Sequence, residues 1–259
     1  MTGFLAETAA LAGIGQDFAW AAFLVFLRVG AALTLMPAFG EQTVPQRVKL
    51  MVALAFTAVV APAIVPKIPG ADGSVFVMIA AEVIAGLLIG SGLRLMVVAL
   101  QLAGTIAAQA ASLTQIFGGI AGEPQPAMAN LFVMAGLALA VIGGLHVRAA
   151  ELIIQSYDLF PPGQIPGPGD VAKWGLDRIA HVFALGFSLA APFVLASVLY
   201  NVALGVINKA MPQLMVSFVG APALTLGGLL LLSIVAPILL GVWMQALSNQ
   251  LDAPFTVAP

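Results

Sequence analysis

The sequence predicts an all-α integral membrane protein, and three observations predict it. Charged residues make up only 8% of the 259 residues, against about a quarter in an ordinary soluble domain. Apolar residues make up 61%. The apolar residues also fall in runs of spanning length, about 20 residues, separated by short turns rich in Pro and Gly. A soluble globule of this size needs more polar residues than this to cover its surface. The formal net charge of −2 gives a nucleic-acid partner no electrostatic support.

About six hydrophobic segments are expected, in one membrane domain covering residues 1–259. The first runs from Phe18 to Phe39 and the second from Val48 to Val65. A third, from Val75 to about Phe117, is too long for one simple span; it reads as a helix plus a second, shorter helix, or as one hairpin. A fourth runs from Ala127 to about Leu145. The fifth, Ile179 to Ile207, contains Pro192, and the sixth, Leu214 to Leu247, contains Pro222 and Pro237. Each of these prolines removes a backbone donor inside apolar helix, so kinked helices packed against protein are expected. The longest connection is read from Tyr157 to Lys173, where PPGQIPGPGD is too rich in Pro and Gly for a helix.

No basic residue precedes Arg28, so no cleavable leader is expected. Arg47 and Lys49, in the first loop, place that loop in the cytoplasm and the N-terminus outside. Lys67, Lys173 and Lys209 give no clean alternation after that.

Three charges interrupt the apolar pattern. Arg28 lies near the middle of the first segment, too far from either end to snorkel. It faces protein or a water-filled space, or else its segment does not span symmetrically. Glu82 and Arg94 share the third segment, where twelve positions separate them by roughly 18 Å on one helix. They cannot pair with each other there. Glu82, Gly86, Gly90 and Arg94 instead follow one i, i+4 ridge. Glycines on such a ridge let helix backbones approach closely. Isolated in an apolar setting, Glu82 is expected to meet a basic group on another helix, with Arg28 the candidate.

No catalytic, cofactor-binding or metal-ligating set assembles. The chain has no cysteine, and His146 and His181 are its only histidines. Neither lies in a His-Glu-x-x-His pattern, and Gly118-Gly119 precede no Lys-Ser/Thr. Ser188 in GFSLA lacks the second glycine of a nucleophile elbow. A small-solute secondary transporter would share the broken helices but should show an internal repeat and a polar binding cluster. Neither is found.

Four stretches resemble the FliR family of flagellar export-gate proteins and its injectisome relatives. They are RVGAALTLMPAFGEQTVPQRVKLMVALAF from Arg28; EVIAGLLIGSGLRL from Glu82; GEPQP from Gly122 with a helix ending in GGLH at His146, then a Ser-Tyr and a Pro-Pro-Gly; and FSLAAPFVLASVLYNVALGVINKAMPQLMVSFVGAP from Phe187. The order covers nearly the whole chain. Met215 and Ser217 stand where the family has Asn and Phe, and Lys209 where an Arg is usual.

The resemblance implies kinked helical hairpins packing with FliP-like and FliQ-like subunits, and with a FlhB-like subunit, into a helical export gate. Unfolded exported proteins would pass through it, in the bacterial inner membrane at the flagellar basal body. An injectisome gate is the runner-up. The resemblance also implies a plug loop between the two middle hairpins, here Gln115, Ile116, Phe117, Gly118, Gly119 and Ile120. A large apolar side chain beside flexible glycines can block water and swing aside; the same residues also suit an ordinary turn in a lipid-facing hairpin. No cofactor, and no covalent change to a substrate, is implied.

Overall fold

A computed structural model describes residues 2–68, 74–112, 127–211 and 216–255, with side chains over 15–68, 74–110, 128–211 and 226–255. Among the described residues every regular element is a helix, and there is no strand. The elements are α1 (Thr2–Leu35), α2 (Gln46–Ile64) running into a 3₁₀ turn (Val65–Lys67), α3 (Val75–Ser112), α4 (Ala127–Ile142), α5 (Leu145–Leu159), α6 (Pro168–Ala210) and α7 (Val216–Asp252). Five helices are long and apolar enough to cross a membrane, or up to six if α4 and α5 count as one broken span. The chain is a multi-pass membrane protein.

Three expectations about elements are corrected. The third segment is neither two helices nor a hairpin as far as it is described, but one 38-residue helix, α3. No proline interrupts it, and in a setting without water each backbone N–H keeps its carbonyl in preference to opening the helix. Its expected end near Phe117 lies outside the described residues.

The second correction is α5. The fourth segment ends at Ile142, not Leu145, and Gly143-Gly144 separates it from a new helix. Gly144 carries φ 82°, a left-handed value that only glycine adopts without strain. In α5, Leu145, Ala149, Leu152, Ile153 and Ser156 are buried, a spacing of i, i+4, i+7, i+8, i+11. That is the stripe of an amphipathic helix with one buried face. A search for unbroken apolar runs passes over it.

The third correction follows from the second. The connection expected from Tyr157 to Lys173 shrinks to residues 160–167, because α6 begins at Pro168. Proline is welcome at the first helical position, where its missing N–H would have no partner anyway. Pro192 and Pro237 lie within α6 and α7 as expected, and Pro62 within α2 is a further helical proline.

The chain forms two compact units. The first comprises residues 1–94, 143–176 and 249–259, and the second 95–142 and 177–248. The core of the first is built from Leu24, Val25, Val29 and Ala32 of α1, Ala85 and Ile89 of α3, and Leu152 and Ile153 of α5. The second is centred on Trp243, which is fully buried. Its indole Nε1 donates to the Met96 carbonyl at 2.8 Å. Phe132 and Phe193 pack nearby in the same unit, ring centroids 6.3 Å apart.

Between α1 and α2 the chain makes a tight turn. The Gly40 N–H donates to the Met36 carbonyl at 2.8 Å, and the Lys49 ammonium donates to the Gly40 carbonyl at 3.0 Å. The Phe39 ring meets the edge of Phe56 at 5.8 Å. Ala38 takes φ 67° in this turn, a conformation that costs a non-glycine residue roughly 1–2 kcal/mol. Ala38→Gly is therefore expected to hold or raise the unfolding midpoint in detergent. Ala38→Val should lower stability by at least about 1 kcal/mol; equal midpoints for all three forms would show that residue 38 is not held left-handed.

Candidate functional site

The ridge read on α3 faces α1 and the turn that follows it. Glu82 meets Arg28. A side chain at Gly86 would run into the Arg28 carbonyl and come within 2.8 Å of the Ala31 Cβ. One at Gly90 would lie 2.5 Å from the Ala32 carbonyl and 3.0 Å from the Leu35 Cβ. Arg94 pairs at 2.6 Å with Glu41, in the turn after α1. The partners rise from 28 to 41 as the ridge rises from 82 to 94, so α1 and α3 run parallel, with α2 returning between them in the chain. The two glycines are needed because the backbones touch where they lie.

At one end of this seam is a closed polar cluster. Arg28 and Glu82 are both 0% exposed. The Arg28 Nε donates to Glu82 Oε2 at 2.7 Å and its Nη2 to Oε1 at 3.1 Å. This two-pronged arrangement is the strong form of the pair. The Arg28 Nη1 donates to the Ser156 hydroxyl at 3.1 Å, and that hydroxyl donates in turn to the Ile153 carbonyl at 2.6 Å. The Tyr157 hydroxyl donates to Glu82 Oε2 at 3.1 Å. Its ring lies under the guanidinium, 3.5 Å from centroid to Cζ, a cation–π contact strengthened by the absence of water.

One more contact lies at the end of α5. The Arg28 Nη2 donates to the Phe160 carbonyl at 2.9 Å. Phe160 is the C-terminal cap of α5, where the last carbonyls lack helical partners and carry partial negative charge. One guanidinium thus compensates a carboxylate on α3 and the end of α5, from a position on α1.

Burying two charges is expensive, and their attraction offsets that cost only when the remaining donors and acceptors are also satisfied. Here every nitrogen of Arg28 and both oxygens of Glu82 are engaged. The arrangement has the chemistry of a fastener. A proton relay would instead need a chain of acids or histidines.

Arg28, Glu82, Gly86, Gly90 and Arg94 are thus brought together along one seam. The proposed plug residues Gln115 to Ile120, and the family departures Met215 and Ser217, lie outside the described residues. Sequence reading missed Glu41 as the partner of Arg94, and missed Ser156, Tyr157 and Phe160 as parts of the cluster. The amphipathic stripe of α5 could have found Ser156 and Tyr157, since it places them on a buried face.

The model of bacterial export proteins, family 1, matches residues 19–250. The chain belongs to this family, the FliR family of flagellar export proteins. The FliR-family chain is 33% identical to the flagellar biosynthetic protein FliR of Caulobacter vibrioides over 238 residues, 90% of this chain and 95% of that one. It is 26% identical to FliR of Escherichia coli K12 over 224 residues, 84% of each chain. It is 27% identical to FliR of Bacillus subtilis 168 over 206 residues, 77% of this chain and 79% of that one. The resemblance read in the sequence is borne out. The chain is a component of the flagellar export apparatus.

The seam makes two side-chain predictions, both read by unfolding in detergent. Gly86→Leu is expected to lose roughly 1–3 kcal/mol by forcing α1 and α3 apart. Tyr157→Phe, which keeps the ring under Arg28 and removes the hydroxyl, should lose about 1 kcal/mol. A Gly86→Leu protein as stable as its parent would show that the helices do not meet there.

Proposed function

We propose that the chain is a structural and gating subunit of the flagellar type III export gate, in the inner membrane at the basal body. It forms, with FliP-like and FliQ-like subunits and beside a FlhB-like one, the channel through which unfolded flagellar proteins leave the cell. The observation that carries this reading is a mismatch of length. The apolar stretch of α3, Val75–Ala110, has 36 residues, about 54 Å at 1.5 Å per residue. A bilayer core is about 30 Å thick. Fitting one into the other takes a tilt well beyond the 0–40° of ordinary spans. Part of such a helix therefore needs protein, not lipid, around it.

The end of α6 supports the same conclusion. Leu195, Leu199, Val202 and Val206 are exposed by 61% or more, and Val194, Val198 and Ile207 extend the exposure around the helix. A helix apolar on all sides is buried in its working state. Sibling subunits stacked around a conduit would bury it. The flagellar machine is favoured over an injectisome because the relatives compared are flagellar proteins.

In this reading Gln115 to Ile120 form the plug that closes the resting channel. Co-expression with the FliP-like and FliQ-like proteins of the same organism is expected to yield a stable complex, and the chain alone to purify poorly. A well-behaved monomer that ignores both partners would contradict the assignment. Deleting Ile116 to Gly119 is expected to make the assembled complex leak ions, measured as conductance or dye flux; an unchanged seal would remove the plug assignment alone.

A further inference from the structure

The Phe160 carbonyl accepts from Arg28, and the Phe160 ring lines a pocket of about 310 Å³ within the first compact unit. Trp174 and Phe255 supply two further aromatic walls, Leu88 and Pro166 two aliphatic ones, and Asp170 its one charge among the described residues. The Phe160 and Phe255 rings stand perpendicular with centroids 4.7 Å apart, and the Trp174 ring lies 5.8 Å from Phe255. Asp170 and Trp174 are at i and i+4 in the first turns of α6, so they share a face.

The walls are held by the fold. The Trp174 Nε1 donates to the Pro254 carbonyl at 3.1 Å, and the Gln250 Nε2 donates to the same carbonyl at 3.3 Å. Arg148 of α5 pairs with Asp252. The segment that carries Phe255 is thereby tied to both α5 and α6. The carboxylate, by contrast, is uncommitted. Among the described residues Asp170 is in no ion pair, and Lys173, one turn on, is in none either. The first turn of α6 favours an acid through the helix dipole, an interaction that occupies neither carboxylate oxygen. The same chain shows what such a set accepts. The Arg28 guanidinium sits on both oxygens of Glu82 and 3.5 Å from the centroid of the Tyr157 ring. The pocket repeats two of those partners, a carboxylate and an aromatic wall.

We propose that this pocket is a socket for an arginine side chain of a neighbouring polypeptide, its guanidinium paired with Asp170 and stacked against the Trp174 and Phe255 rings. The inference rests on the reading of the chain as one subunit of an assembly. A planar guanidinium serves a carboxylate and an aromatic face at once, which a compact ammonium does less well. A free small molecule is disfavoured, because sites for such ligands converge several polar groups and this one offers a single carboxylate. A side chain on a docked polypeptide needs no more, since the rest of the interface keeps it in place. Lipid is disfavoured by the surroundings. Asp170 and Lys173 are exposed, as are His146, Glu151 and Gln155 on the outer face of α5. Asp158, next in the chain to Leu159 of the pocket wall, forms an exposed pair with Lys67. Such side chains are costly in hydrocarbon, and a phospholipid would bring its phosphate towards an unpaired carboxylate.

The test uses the complex of this chain with the subunits that accompany it. Leu159, 57% exposed on the pocket wall, is replaced by the photo-cross-linking amino acid p-benzoylphenylalanine, and the captured peptide is identified by mass spectrometry. It is expected to come from another subunit and to carry an arginine at or next to the link. Asp170→Asn should weaken retention of that subunit about tenfold, the worth of one charged hydrogen bond. Asp170→Arg should weaken it further, and exchanging the captured arginine for aspartate in the partner should then restore it. A link to lipid, or to a stretch without arginine, would overturn the proposal. So would an Asp170→Asn complex that holds all of its subunits as tightly as the parent. Failure of the parent chain to form any complex would contradict the export-gate reading as well; a complete complex indifferent to Asp170→Asn would remove the socket alone.

Discussion

The first compact unit depends on one contact, the buried pair of Arg28 and Glu82. A charge in an apolar interior has no inexpensive alternative partner, so it dictates what must come to meet it. Arg28 sets the register of α1 against α3 through Glu82. It sets the end of α5 through the Phe160 carbonyl and the Ser156 hydroxyl. Hydrophobic contacts alone allow helices to slide, since one aliphatic side chain packs much like another. A two-pronged ion pair with a ring beneath it allows one arrangement.

The seam beyond the pair follows from that register. Once Glu82 is opposite Arg28, Gly86 and Gly90 fall opposite the α1 backbone, and Arg94 falls opposite the turn that holds Glu41. The turn is held in its own right, with Lys49 on the Gly40 carbonyl and Ala38 in a left-handed conformation. Two ion pairs at the ends and two glycines between them join α1 and the 82–94 stretch of α3 as a parallel pair. Such a pairing suits a subunit with much exposed apolar surface and with helices longer than a bilayer is thick.

Much of this was legible in the sequence, and the reason is chemical. Glu82, Gly86, Gly90 and Arg94 stand out because charge and glycine are both anomalous in an apolar helix, and their spacing of four states their common face. Arg28 as the partner of Glu82 followed from the cost of isolation. What escaped was whatever depends on ordinary residues. The α5 helix is polar enough to look like a loop beside its apolar neighbours, and the run of Pro and Gly after it obscured the start of α6. Phe160 acts through its backbone carbonyl, which no residue type announces. Glu41 lies in a turn, where a carboxylate is unremarkable until the fold brings Arg94 to it. The length of α3 was read correctly as anomalous but assigned to a break that the helix does not have.

The measurement that tests the central role of the pair is a double-mutant cycle on Arg28 and Glu82, read by stability in detergent and by co-purification with the partner subunits. Arg28→Met or Glu82→Leu alone leaves a buried charge unmatched and is expected to lose about 3–5 kcal/mol. The two together remove both charges and should regain most of that loss. Single variants as stable as the parent, or a double variant that loses the sum of the two, would show that the charges do not depend on each other and that something else holds α1, α3 and α5 in place.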